Sequence, residues 1–188
     1  MVTLRVDADT QLRLLVEAHA EPLFALIEAN RANLSLWLPW VDETRTLQDT
    51  RRFIRFGLRQ YVNDSGMQLG VWVRGQFAGS AGYNYFDRTR QQTEIGYWLG
   101  QAFQGKGIMT SVCRTMTTYA FQTLGLKTVK IRCAATNNRS RAIPERLGYT
   151  LEAIAPQIDW ALDRYVDTVI YSMAVTDWPL ATPQYETS

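Results

Sequence analysis

Two cysteines and a single histidine are all the thiol and imidazole metal ligands in this 188-residue chain. Cys113 and Cys133 fall on a predicted helix and a predicted strand, and His19 has no cysteine or histidine near it in sequence. Buried free thiols are therefore expected rather than a disulfide, and no metal site is expected. Charge of one sign is also scarce: 20 Lys and Arg against 18 Asp and Glu leave a formal net charge of +2. That is not the basic footprint of a nucleic-acid binder, so no nucleic-acid partner is expected. No apolar run approaches the ~20 residues that cross a bilayer, and Met1-Val2-Thr3-Leu4-Arg5-Val6-Asp7 lacks the apolar stretch of a signal peptide. No membrane association and a cytoplasmic location follow as expectations. Internal repeats and low-complexity tracts are absent, and residues 182–188 read as a flexible tail. With 46% hydrophobic and 20% charged residues, residues 1–188 suit a single domain with an ample core.

What the chain does contain is a glycine turn between a strand and a helix. Thr93-Glu94-Ile95-Gly96-Tyr97-Trp98-Leu99 alternates Ile95, Tyr97 and Leu99 on one face with Glu94, Gly96 and Trp98 on the other, the period of a strand. Ile108, Val112, Met116, Ala120 and Leu124 recur every fourth residue until Gly125, the pattern of an amphipathic helix with a glycine C-cap. Between them lies Gln104-Gly105-Lys106-Gly107-Ile108-Met109-Thr110. Glycines there let the backbone approach a pyrophosphate, and the first N–H groups of the helix with its dipole supply donors and partial positive charge. The segment is neither a P-loop nor Gly-x-Gly-x-x-Gly, since Thr110 stands where the third glycine would fall.

The remaining elements follow from the same periodicities. Leu12–Glu17 reads as a strand and Pro22–Asn33 as a helix with Pro22 in its first turn. Thr46-x-x-Asp49 resembles a capping box opening a helix with Phe53, Ile54, Leu58 and Tyr61 on its apolar face. Met67, Leu69, Val71 and Val73 alternate in a strand whose hairpin partner is Phe77–Phe86, across Arg74-Gly75. A strand over Thr128–Ala135, a helix from Ser140 and two strands, Thr150–Ala155 and Tyr165–Val175, complete a mixed sheet in an α+β domain.

A second motif, Asn137-Asn138-Arg139-Ser140 followed by Glu145-Arg146-Leu147-Gly148-Tyr149, joins the glycine turn. Together they resemble the acetyl-coenzyme A signature of the GNAT superfamily of N-acetyltransferases. Glu94-Ile95-Gly96-Tyr97-Trp98-Leu99, Trp37-Leu38-Pro39-Trp40 and the terminal Tyr171-Ser172-Met173 resemble its RimJ/RimL type, which acetylates ribosomal proteins. Met109 departs from the Gly or Ala of many relatives but keeps its N–H. The resemblance implies a splayed sheet of about seven strands flanked by helices, acetyl-CoA as co-substrate and a dimer. It also implies a coenzyme site at Gln104, Gly105, Lys106, Gly107, Met109 and Thr110, backbone N–H groups of Trp98 and Leu99 at the thioester carbonyl, and Asn137 on the pantetheine arm.

Acetyl transfer to an amine needs a neutral amine, a donor for the developing oxyanion and a proton for the departing thiolate. The resemblance implies Glu94 as base; a salt-bridged structural carboxylate is the alternative. The tyrosine that serves many relatives as acid is replaced by Pro144, which leaves Ser140 as the nearest hydroxyl, with N-capping as its competing role. Trp37 and Trp40 are candidates for the acceptor groove, or for core packing under a loop. Arg52, Arg55 and Arg59 would line one face of the second helix, disfavouring polycationic acceptors. An α-amine with pKa near 7.7–8.0 is about a tenth free base at pH 7, while a lysine near 10.4 is free only to about one part in a few thousand. A protein N-terminus, such as that of a ribosomal protein, is therefore the expected acceptor. A small-molecule amine, or a non-catalytic acyl-CoA sensor, are the alternatives.

Overall fold

The alternation over Thr93–Leu99 is a central strand in the computed structural model, which describes residues 2–161 and 164–179. The expected tail, residues 182–188, lies outside the described residues. Eight strands form one sheet: β1 (Thr3–Arg5), β2 (Thr10–Leu14), β3 (Met67–Val73), β4 (Gln76–Asp87), β5 (Gln92–Leu99), β6 (Thr128–Ala134), β7 (Thr150–Ala161) and β8 (Arg164–Ala174). Their order is β1-β2-β3-β4-β5-β6-β8-β7. The mixed sheet agrees with expectation, and the strand beyond seven is β1, a three-residue edge too short to show a period. β7 also runs past Pro156. It is the edge strand, where a residue without N–H costs no ladder bond, and its register shifts between Ala155 and Asp159.

Every neighbouring pair is antiparallel except β5 and β6. Those two run parallel only from Gln92 opposite Thr128 to Ile95 opposite Ile131. Beyond that point β5 stays paired with β4 as far as Leu99, and β6 stays paired with β8 as far as Ala134. The two halves of the sheet therefore part, leaving the inner edges of β5 and β6 without a strand partner.

Helices cover both faces. On one lie α1 (Ala20–Leu34), α2 (Trp40–Glu43) and α3 (Leu47–Val62), around a core that includes Leu23, Ile27, Ile54 and Phe77. On the other lie α4 (Ile108–Gln122) and α5 (Asn138–Arg146). Val112, Met116 and Ala120 of α4 are fully buried against Ile95, Val129 and Ile131. Thr46 and Asp49 form the expected capping box of α3. The expected apolar face of α3 holds at Ile54 and Leu58 and is corrected at Phe53 and Tyr61. The helix packs through Thr50, Ile54 and Gly57, with Gly57 close against the Gln68 side chain, while Phe53 and Tyr61 remain 40% and 41% exposed.

Candidate active site

The parted strands open into a continuous cleft of about 1550 Å³ that reaches both faces of the sheet. At one end is the glycine turn. Gly105 and Gly107 take φ of 74° and 75°, and a Cβ on either would meet nothing within 4 Å, so both face open space. Gly107 is the N-cap of α4 and no side chain caps that end. The first N–H groups of α4 thus have no intrahelical acceptor and form a cradle for an anion. This arrangement fits a pyrophosphate. Gly105, Gly107, Met109 and Thr110 line the cleft, whereas Lys106 turns away and donates to the Ala102 carbonyl at 2.8 Å.

Gln104 ties the turn to both sides of the cleft. Its amide donates to the Leu99 carbonyl at 2.9 Å, and its oxygen accepts from Arg139 on α5 at 3.1 Å. Arg139, a cation beside the cradle, was not singled out from the sequence, although it lies inside the second motif. The two expected backbone donors on β5 separate. Gly100 donates to Ala78, so alternation along the antiparallel pair turns the Trp98 N–H toward Ser80 on β4. Leu99, not Trp98, presents its N–H to the gap. Trp98 contributes its indole, 6.1 Å from that of Trp40.

Helix α5 begins earlier than expected. Asn137 is its N-cap and accepts from the Ser140 N–H at 3.2 Å, so the capping role falls to Asn137 and Ser140 sits within the first turn. Pro144 is inside the helix, not in its first turn. The Ser140 hydroxyl donates to the Tyr97 hydroxyl at 3.2 Å, and Tyr97, Ser140 and Cys133 all line the cleft. Burial pushes the Cys133 thiol up to about 11, so it stays protonated at neutral pH. Cys113 is also a free thiol and is buried in the core.

Glu94 projects from the opposite face of β5. The register of β4 and β5 shifts between Tyr83 and Phe86, so Asn84 and Tyr85 together oppose Glu94. This bulge brings the Asn84 amide to donate to Glu94 at 2.9 Å, and Arg132 of β6 lies 3.9 Å from the other carboxylate oxygen. A Cβ on Gly96 would stand 2.9 Å from the Asn84 amide oxygen, so the glycine leaves the room that Asn84 needs. Asn84 was not foreseen, because the bulge has no mark in the sequence pattern.

Trp37 and Trp40 line the same cleft on the Glu94 side, joined by Phe53 and Phe56 of α3, the latter 51% exposed. The arginine stripe does not join that wall. Arg52 pairs with Asp49 within α3, and Arg55 faces Glu17 at 3.4 Å. Both cations are therefore paired, and none of Arg52, Arg55 and Arg59 lines the cleft, although Asp49 does.

The family model of the acetyltransferase (GNAT) domain matches residues 10–150. YdaF of Bacillus subtilis (strain 168), which carries a provisional ribosomal N-acetyltransferase name, is 36% identical over 180 residues, 95% of this chain and 98% of YdaF. The ribosomal-protein-serine acetyltransferase of Escherichia coli (strain K12) is 25% identical over 173 residues, 92% of this chain and 97% of the relative. Among solved structures, RimL, a ribosomal L7/L12 alpha-N-protein acetyltransferase in complex with coenzyme A, superposes with a TM-score of 0.90. It covers 93% of this chain and 98% of its own at 24% identity, which is a likeness of fold. This chain belongs to the GNAT acetyltransferases. It is accordingly an acyltransferase whose acetyl donor is acetyl-CoA.

Proposed function

We propose that the chain transfers acetyl from acetyl-CoA to the N-terminal α-amine of a protein, of the ribosomal type, with residues 1–188 acting as one domain in the cytoplasm. One observation carries the reading: Glu94, held by Asn84 and Arg132, lines the same cleft as the aromatic groove of Trp37, Trp40, Phe53 and Phe56. The names of YdaF and of the Escherichia coli relative support the ribosomal acceptor.

Glu94 acts as base, taking the proton of the incoming amine directly or through a water. The Leu99 N–H donates to the developing oxyanion, and Ser140 passes its hydroxyl proton to the departing thiolate from the other side of the sheet, its oxygen taking a proton from water as coenzyme A leaves. Asn137 caps α5 and fixes the turn that carries Ser140. Gly105, Gly107, Met109 and Thr110 hold the pyrophosphate through backbone N–H groups, and Gln104 keeps the turn docked on Leu99. The amine needs little help to lose its proton when it is an α-amine, which suits a single carboxylate base.

Coenzyme A release, measured with N-terminal peptides, lysine peptides and spermidine as acceptors, tests the reading. Fastest release with N-terminal peptides supports it. Faster release with spermidine would replace it with small-molecule amine acetylation. Binding of acetyl-CoA with no release on any amine would make the chain a sensor.

A further inference from the structure

Pro144 has no N–H, so within α5 it cannot donate to the carbonyl of Ser140, four residues back. That carbonyl accepts instead from the phenol of Tyr97, at 3.1 Å. The Ser140 hydroxyl donates to the same phenol oxygen, at 3.2 Å. One oxygen on β5 therefore holds two atoms of one residue on α5, fixing both the backbone of the helix's first turn and the direction of the Ser140 side chain. Burial holds the Tyr97 phenol well above its ordinary value, so it remains a protonated donor across the working pH range.

We propose that Tyr97 is a positioning residue: its hydroxyl replaces the amide that Pro144 lacks and holds the Ser140 oxygen at the gap between β5 and β6, so that the Ser140 proton, resting on the phenol oxygen, reaches the thiolate by rotation about the side chain's C–O bond. The inference rests on Ser140 as the proton donor and goes beyond it in naming what sets its geometry. It also accounts for a proline at the seventh position of a nine-residue helix. The carbonyl orphaned by the proline has a donor from the sheet, so the cost of an unpaired buried group is avoided.

The test uses the full chain with four changes: Tyr97→Phe, Ser140→Ala, both together, and Tyr97→Phe combined with Pro144→Ala. Tyr97→Phe is expected to lower kcat by about 10-fold with KM for acetyl-CoA within about twofold, because the lost interaction acts after binding. Adding Tyr97→Phe to Ser140→Ala should cost no further kcat, since one residue acts through the other. The fall in Tm caused by Tyr97→Phe should shrink in the Pro144→Ala background, where the restored N–H serves the carbonyl, while the loss of kcat persists. That background also carries the kinetic comparison if Tyr97→Phe alone does not fold.

Unchanged kcat in Tyr97→Phe, multiplying losses in the double variant, or an equal fall in Tm in both backgrounds would each overturn the inference. Failure of the underlying assignment looks different. If Ser140→Ala by itself turns over like wild type, Ser140 is not the proton donor, and the positioning role falls with it.

Discussion

Asn84 donates its amide to the Glu94 carboxylate at 2.9 Å, and the contact exists because β4 carries one residue more than β5 at that point. The bulge points Asn84 at the carboxylate, and Gly96 leaves its amide unobstructed. A carboxylate held this way keeps one orientation toward the groove, as a base requires.

Glu94→Gln is therefore expected to lower kcat by about 10²–10⁴ while leaving acetyl-CoA affinity unchanged, since base assistance acts in the transition state. Asn84→Ala should lower kcat less, by about 10-fold, because Arg132 still restrains the carboxylate. Steady-state kinetics with one N-terminal peptide check both. Near-normal turnover in Glu94→Gln would make the Glu94–Arg132 pair structural.

Gly107→Pro should weaken acetyl-CoA binding by more than about 10-fold, because proline is fixed near φ of about −65° and removes an N–H from the cradle. Gly107 itself sits at φ 75°. Calorimetry on the folded variant measures the change. Wild-type affinity would move the pyrophosphate away from the start of α4.

Asn137 and Ser140 should respond differently to truncation. Asn137→Ala removes the N-cap of α5 and should cost about 0.5–2 kcal/mol of stability. Ser140→Ala leaves the cap in place and should reduce turnover with little change in Tm. Denaturant unfolding beside single-turnover kinetics separates the two effects.

Asp49 gives a pH dependence of known sign. Hydrogen bonds from the Thr46 side chain, then from Arg52 and the Thr46 backbone, lower its carboxyl to about 2. The folded-state value lies below the unfolded one, near 3.9, so the unfolded state binds the proton more readily and the cap stabilises α3 fully above about pH 4. That contribution is lost as pH falls toward 2. The Tm difference between wild type and Asp49→Asn should be constant above about pH 4 and close between pH 4 and pH 2.

Much of this was legible in the sequence because the signals are local. The alternation of Thr93–Leu99 and the Thr46-x-x-Asp49 box appear as read, and the fourfold recurrence from Ile108 marks α4, which ends at Gln122 with Thr123 as its C-cap, short of Leu124 and Gly125. The misread features depend on pairing across space. The Trp98 N–H is committed to β4 by a register that starts at Gly100 and Ala78. The β4 bulge that recruits Asn84 has no mark in the pattern of hydrophobicity. The expected helix start is Ser140, whereas Asn137 caps the helix, and the Ser140 carbonyl that Pro144 cannot serve takes its donor from Tyr97 on a distant strand. Phe53 and Tyr61 looked like core positions of α3 and are exposed, because Gly57 carries the contact with the sheet instead.

The most direct test of the account is a matched pair of peptides differing in which amine is free. One carries a free α-amine and no lysine; the other has the same sequence with a blocked N-terminus and one internal lysine. With acetyl-CoA at saturation, the account predicts that kcat/KM for the first exceeds that for the second by on the order of 10², the ratio of free-base fractions at pH 7, with mass spectrometry placing the acetyl group on the α-nitrogen. Equal rates on the two peptides, or faster acetylation of the lysine, would contradict it.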